Sequence, residues 1–102
     1  MLCHVIIWKL KSSLSESEKA EIRKNAKKNL EALVGQIPGL ISMRIETEGI
    51  ASSTGDMMLL SSFEKEEDFI AYKTHPAHVH AADTYVRPYT EQRSAFDYFK
   101  ED

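Results

Sequence analysis

The sequence predicts an α+β protein with a ferredoxin-like βαββαβ fold, in which helices cover one face of a four-stranded antiparallel sheet. Four segments show the apolar runs or the two-residue alternation of strands. The segments after the first and third of them show helical spacing. Proline and glycine residues fall near the ends of these elements. In this topology the strands lie in the spatial order 4-1-3-2.

The length and composition are those of one globular domain, residues 1 to 102, with 42% hydrophobic residues. A net charge of -3 argues against nucleic-acid binding, because phosphate binding needs a basic patch. Cys3 is the only cysteine, so no intrachain disulfide can form and a cytoplasmic location is expected. The apolar run of residues 5 to 8 is far shorter than the roughly 20 residues of a membrane span, and no signal-peptide pattern is visible.

The first strand is predicted over residues 2 to 11 and is apolar on both faces. One face carries His4, Ile6, Trp8 and Leu10, and the other carries Cys3, Val5 and Ile7. Two apolar faces indicate a strand that is covered on both sides.

A helix is predicted next, with Ser15 as its N-cap and Glu18 completing a capping box. Apolar residues at intervals of four, four, three and four form one helical stripe: Ile22, Ala26, Leu30, Leu33 and Ile37. Pro38 and Gly39 are expected to end this helix.

The second and third strands are predicted over residues 40 to 49 and 56 to 64. In the second strand an apolar set alternates with a polar set; the apolar set is Ile41, Met43, Ile45 and Thr47. The third strand is almost continuously apolar. A small, polar connection over residues 49 to 55 joins the two strands.

The second helical region is predicted in two pieces, residues 66 to 73 and residues 76 to about 87. Pro76 suits the first position of the new helix, and His75 before it should be extended and cap that helix. Pro88 closes this piece, and the last strand covers residues 91 to 99.

The helices can cover only one face of the sheet, yet the first strand is apolar on both. The face that carries Cys3, Val5 and Ile7 must therefore meet another apolar surface. A second copy of the same sheet is the simplest solution, so the sequence predicts a homodimer.

The segment from residue 72 to residue 80 contains three of the four histidines and a tyrosine. Tyr72 and His78 lie on either side of the Pro76 break and can both point toward the sheet. They form either an acid-base pair for enolisation beside a carbonyl or a buried structural pair that orders the helix junction. His80 lies two positions past His78 and is expected to be exposed.

With these elements assembled, the chain resembles the stress-responsive dimeric α/β-barrel (Dabb) family over essentially its whole length. The resemblance rests on His-Val-Ile-x-x-Lys-Leu-Lys from His4 to Lys11, His-Pro-x-His from His75 to His78, and Asp-Tyr at Asp97 and Tyr98. It implies a dimer in which two sheets face each other to form a barrel.

A plant polyketide cyclase of this family has its catalytic Tyr and His in Tyr-x-x-His-Pro-Ala-His, which this chain matches from Tyr72 to His78. A pocket histidine on its first strand matches His4. The resemblance thus implies Tyr72, His78 and His4 as catalytic candidates. The candidates for binding a substrate are Ile6, Trp8, Leu59 and Asp97. Met57 stands where the cyclase has a further histidine, so the cyclase's own substrate does not carry over.

The first and last strands should be antiparallel neighbours, which lets His4 face Asp97. The carboxylate either orients a working imidazole or forms a structural pair, and we favour the structural pair. Arg93 shares the face of Asp97; it can bind a substrate carboxylate or pair with Asp97, and we favour the structural role. No metal is predicted, because no cysteine or carboxylate at ligand spacing accompanies the histidines. Nothing resembles a haem motif, so no cofactor is predicted.

Three functions stay open. The leading one is a non-catalytic stress-response dimer whose pocket is vestigial or binds a small apolar or β-keto metabolite, because the general family motif accounts for most of the matches. The alternative is a cyclase-like or isomerase-like acid-base enzyme, and a further alternative is a monooxygenase. A cavity beside Tyr72 and His78 would favour an enzyme, whereas a pocket filled by Trp8 and the methionines would favour the first.

Overall fold

The computed structural model describes residues 1–101 and confirms the predicted fold. The strands are β1 (Leu2–Leu10), β2 (Leu40–Glu46), β3 (Met57–Phe63) and β4 (Thr90–Phe99). The helices are α1 (Glu16–Glu31), α2 (Glu66–Thr74) and α3 (Pro76–Tyr85). Neighbouring strands are antiparallel, and their order β2-β3-β1-β4 is the predicted one.

β1 lies in the middle of the sheet, between β3 and β4, and its inner face forms the floor of the core. Ile6, Trp8 and Leu10 are buried there beneath the helices. Burying an aliphatic side chain of this size stabilises a fold by about 1.5–3 kcal/mol, so this alternating face fixes the register of β1.

α1 begins with the predicted capping box, because the Ser15 hydroxyl accepts from the Glu18 N–H and the Glu18 carboxylate accepts from the Ser15 N–H. The predicted end of this helix was wrong. It stops at Glu31 rather than running to Ile37, and the residues after it form turns. Gly35 has a φ of 91°, a left-handed conformation that a helix cannot contain. Ile37 is nevertheless buried, because the turns still pack on the core.

β2 departs from simple alternation at its first residues. The pairing between β2 and β3 shifts register between Leu40 and Ser42, as a β-bulge does. Leu40 is therefore buried and Ile41 is 45% exposed, against the prediction that Ile41 faces the core. Met43 and Ile45 lie inside as predicted.

The predicted break between the second and third helices is confirmed. His75 is extended, with φ -65° and ψ 131°, and its Nδ1 accepts from the Ala77 N–H 3.1 Å away. Pro76 then occupies the first turn of α3. The predicted end near residue 87 was wrong, because α3 ends at Tyr85 and a separate 3₁₀ turn covers Arg87–Tyr89. Pro88 lies inside that turn.

The outer face of the sheet is open. Its side chains come from alternate positions of the strands, and large apolar ones are exposed: Ile7 (45%), Leu60 (37%), Phe96 (69%) and Tyr98 (42%). This is the face that the helices were predicted to leave uncovered. Within residues 1–101 no helix has both the length and the apolar content needed to cross a membrane.

Candidate functional site

A cavity of about 320 Å³ lies between the two short helices and the inner face of the sheet. The three catalytic candidates, His4, Tyr72 and His78, all line it. Within the described residues 1–101 the lining is His4, Ile6, Trp8, Phe69, Tyr72, Lys73, His78, Ala82, Val86, Arg87, Thr90 and Arg93. Residues from β1, α2, α3, the 3₁₀ turn and β4 therefore converge on one space.

Aromatic packing on Phe63 of β3 holds α2 over this cavity. The ring centroids of Phe69 and Tyr72 lie 5.3 Å and 5.0 Å from that of Phe63. Such tilted ring pairs are each worth about 0.5–1.5 kcal/mol beyond the area that they bury. The Tyr72 ring is thereby fixed from below, and only 2% of the residue is exposed.

Tyr72 and His78 meet across the helix break. Their ring centroids are 4.0 Å apart and the ring planes differ by 31°, so the contact is ring against ring. His78 Nδ1 donates to the Lys73 carbonyl at 3.2 Å. A donor at Nδ1 leaves Nε2 as the unprotonated nitrogen of a neutral ring. Among residues 1–101 no hydrogen bond joins the Tyr72 hydroxyl to the His78 imidazole.

His4 and Asp97 lie opposite each other on β1 and β4, and His4 Nδ1 is hydrogen-bonded to the Asp97 carboxylate. The predicted contact is confirmed. The carboxylate accepts from Nδ1–H, which fixes the tautomer and leaves Nε2 unprotonated. The His4 ring also packs on Phe69, with centroids 4.7 Å apart. The favoured structural pairing of Arg93 with Asp97 was wrong. The two side chains form no ion pair, because four residues, roughly 13 Å, separate their positions along β4.

Burial sets the protonation of all three candidates. It lowers the pKa of His4 below the usual histidine value, even though the hydrogen bond and charge of Asp97 act in the opposite direction. Burial likewise lowers the pKa of His78, and the Arg87 charge adds to this. Burial raises the pKa of the Tyr72 hydroxyl well above its usual value. Near neutral pH the site therefore holds two neutral imidazoles and one protonated phenol.

The four candidates for substrate binding have different positions. Ile6 and Trp8 line the cavity. Leu59 is buried in the core opposite Ile6 and is not among the lining residues. Asp97 lies behind His4 and reaches the cavity only through that ring.

The sequence prediction missed several lining residues, including Lys73, Arg87 and Val86. Helical spacing could have identified two of the lining residues, because Ala82 and Val86 follow His78 at intervals of four. Nothing in the local sequence indicates that Lys73 and Arg87 meet, since they come from different elements.

A second cavity, of about 430 Å³, lies beside the open face of the sheet. The connection between β2 and β3 lines it together with Ile7, and no histidine or tyrosine does. It is larger, but the acid-base groups with shifted pKa values line the smaller cavity, which is therefore the candidate site. Within residues 1–101 no group of three or more His, Cys, Asp or Glu side chains is placed to hold a metal ion.

Comparison with known sequences finds one family. The sequence profile of the stress responsive A/B barrel domain, Dabb, matches residues 2–100. No curated protein matches the chain significantly.

Solved structures with the same fold include a dimeric protein of unknown function from Bacteroides fragilis, with 27% identity, a TM-score of 0.88 and coverage of 95% of this chain and 93% of the other. A Dabb family protein from Mesorhizobium loti has 20% identity, a TM-score of 0.74 and coverage of 99% and 97%. A hydroxynitrile lyase from Passiflora edulis has 17% identity, a TM-score of 0.73 and coverage of 99% and 94%. The last two share the fold with this chain.

Proposed function

Since the chain belongs to the stress responsive A/B barrel domain family, we propose that it is a homodimeric enzyme that uses acid-base chemistry on a small carbonyl compound. One observation carries this proposal: Tyr72, His78 and His4 converge on a cavity of about 320 Å³. Trp8 lies in its wall, and neither Met57 nor Met58 lines it. Such a volume is at the lower end of the roughly 300–1,000 Å³ of ligand sites, so a small ligand fits.

The proposed reaction is removal of a proton from the carbon next to a carbonyl. His78 Nε2 takes the proton, and the electron pair of the broken C–H bond forms a carbon–carbon double bond. The π pair of the C=O bond moves onto the oxygen, to which the Tyr72 hydroxyl donates a hydrogen bond. The protonation states support these roles. A lowered pKa keeps His78 neutral and able to accept, and a raised pKa keeps Tyr72 protonated and able to donate.

His4 has a second role in this proposal. Its Nε2 is the unprotonated nitrogen, and the Asp97 carboxylate behind it would stabilise an imidazolium. Its Nε2 can therefore accept a hydrogen bond from the enol hydroxyl of a β-keto compound. In an isomerase-like step His78 returns the proton that it has taken to a different carbon of the enolate. Each step moves one proton and needs no oxidant or reductant.

The homodimer is supported by the open face of the sheet. Ile7 and Phe96 are exposed there, next to Tyr98. Several structures of this fold, from Bacteroides fragilis and Thermobifida fusca among others, are described as dimeric. Two copies that bring these faces together would remove the apolar side chains from water. Because Cys3 is a free cysteine, it is consistent with a cytoplasmic location of the protein.

A second function is favoured by one detail of the site. Because Tyr72 and His78 touch ring to ring, the pair also fits a dimer that binds a metabolite without converting it. In that case Tyr72 and His78 form one wall of the pocket.

Exchange of carbon-bound protons tests the proposal directly. The protein is incubated in D₂O with a panel of small ketones and β-keto thioesters, and loss of the α-proton signal is followed by NMR. Exchange faster than with the His78→Ala protein supports the enzyme. Equal rates for both proteins over the whole panel would leave the binding dimer as the function.

A further inference from the structure

Among residues 1–101, three cationic side chains line the candidate site and no acidic residue does. Lys73 comes from the end of α2, Arg87 from the 3₁₀ turn and Arg93 from β4. Asp83 pairs with Arg87, and Asp97 is hydrogen-bonded to His4. Within residues 1–101 no carboxylate lies at ion-pairing distance from Lys73 or Arg93. The cavity is therefore bordered by positive charge that the protein leaves uncompensated.

The neutral imidazoles add no charge, so the cations dominate the field inside the cavity. All three residues are exposed and partly screened by water, but a concave site bordered by charge of one sign still favours a ligand of opposite charge. The chain as a whole has a net charge of -3, so the local excess of positive charge does not follow from the overall composition.

The cations also have a definite order along the cavity. Arg93 is opposite Trp8 in the sheet, whereas Asp97 is opposite His4. Four strand residues separate the two positions, roughly 13 Å. Lys73 lies at the His4 end, with Nζ 4.5 Å from the centre of the Phe69 ring. Between these ends the wall is apolar, formed by Ile6 and Val86.

We infer that the ligand of this site is a small organic carboxylate, such as a keto acid, whose carboxylate is held by Arg93 at the Trp8 end of the cavity. The planar guanidinium of arginine matches a carboxylate with two parallel hydrogen bonds. The carbon chain of the ligand then lies along the apolar wall, and its carbonyl reaches Tyr72 and His78. This inference rests on the proposed function, because it names the substrate class of the same cavity.

Trp8 provides a readout of binding that does not depend on turnover. It is the single tryptophan of the chain and lies in the cavity wall opposite Arg93. The probes are 4-oxopentanoate, its neutral methyl ester and inorganic phosphate, each titrated to about 10 mM while tryptophan fluorescence is followed.

We expect the acid to change the fluorescence and to bind at least roughly tenfold more tightly than the ester. Arg93→Gln should remove this preference, and Arg93→Lys should keep part of it. The matched control is Arg44→Gln, because Arg44 is an exposed arginine of β2 that pairs with Glu46 away from the cavity. Circular dichroism of each variant shows whether the fold is intact.

The inference is overturned if acid and ester bind equally, if neither changes the fluorescence, or if Arg93→Gln keeps the preference. Phosphate binding as tight as that of the acid would also overturn it, because the site would then select charge rather than a carboxylate. Failure of the proposed function looks different. Tight, Arg93-dependent binding of the acid without proton exchange would leave the ligand class standing and remove the enzyme.

Discussion

Tyr72 and His78 lie six residues apart in the chain and touch across the break between α2 and α3, with ring centroids 4.0 Å apart. The contact sets the ring of a phenol that stays protonated against an imidazole that stays neutral. Both side chains border the same cavity, so their pairing is the centre of the proposed chemistry.

Removing either functional group should lower turnover. We expect Tyr72→Phe and His78→Ala each to reduce the proton-exchange rate by roughly 10²-fold or more, the size of a general acid-base contribution. His80→Ala is the matched control, because His80 is exposed on the same helix and should leave the rate unchanged. Full activity in both site variants would assign the pair to structure alone.

The Asp97 carboxylate should hold the pKa of His4 up against burial. Its hydrogen bond and charge both raise that pKa, whereas burial lowers it. Asp97→Asn should therefore lower the pKa of His4 further, as measured by NMR titration of the ring protons. Asp83→Asn serves as the control, since Asp83 pairs with Arg87 on the surface. An unchanged or higher pKa in Asp97→Asn would contradict the coupling.

The two buried histidines should make the fold less stable in mild acid. Each has a lower pKa in the folded chain than the usual value of 6.5, so below that pH the unfolded chain binds more protons. The free energy of unfolding should fall as the pH drops from about 6.5 toward the folded pKa values. Urea titrations across this range should show it, and His4→Gln should make the dependence shallower. Stability that rises over the same interval would refute the assignment.

A charged side chain placed on the open face of the sheet should disrupt the dimer interface. Ile7→Asp should give a monomeric, aggregated or unfolded protein, because an unpaired carboxylate in an apolar interface is costly. Ile70→Asp is a matched control, since Ile70 is 57% exposed on α2 and outside that face. Sedimentation velocity distinguishes the states. Monomeric wild-type protein at micromolar concentration would contradict the homodimer.

Features with a local physical cause were predictable from the sequence. The capping box at Ser15, the break at Pro76 and the pairing of His4 with Asp97 follow from residue types and from the topology. The end of α1 was not predictable from the sequence. The apolar spacing of a helix continues through Leu33 and Ile37, although Gly35 already lies outside the helix. Ile41 was misplaced for a similar reason, since a bulge shifts the alternation without changing composition.

The positive charge of the site could not be predicted from the sequence. Lys73, Arg87 and Arg93 belong to three elements. Lys73 and Arg87 look like ordinary surface cations in the sequence, and Arg93 was identified only through the strand face that it shares with Asp97. Only the packing of α2, the 3₁₀ turn and β4 around one cavity brings them together. Residues that come together only when the chain folds leave no local pattern in the sequence. Tyr72 and His78, in contrast, were identified through the motif around Pro76.

The extended backbone of His75 also sets the direction in which the His78 side chain points. In an unbroken helix each residue turns by about 100°, so positions 72 and 78 would point roughly 120° apart and could not share a wall. The joint supplies the missing rotation, and α3 starts afresh at Pro76. Adding or deleting one residue between Tyr72 and Pro76 would therefore swing His78 away from the cavity even if both helices formed. The proposed chemistry depends on the number of residues in this joint as much as on their kind.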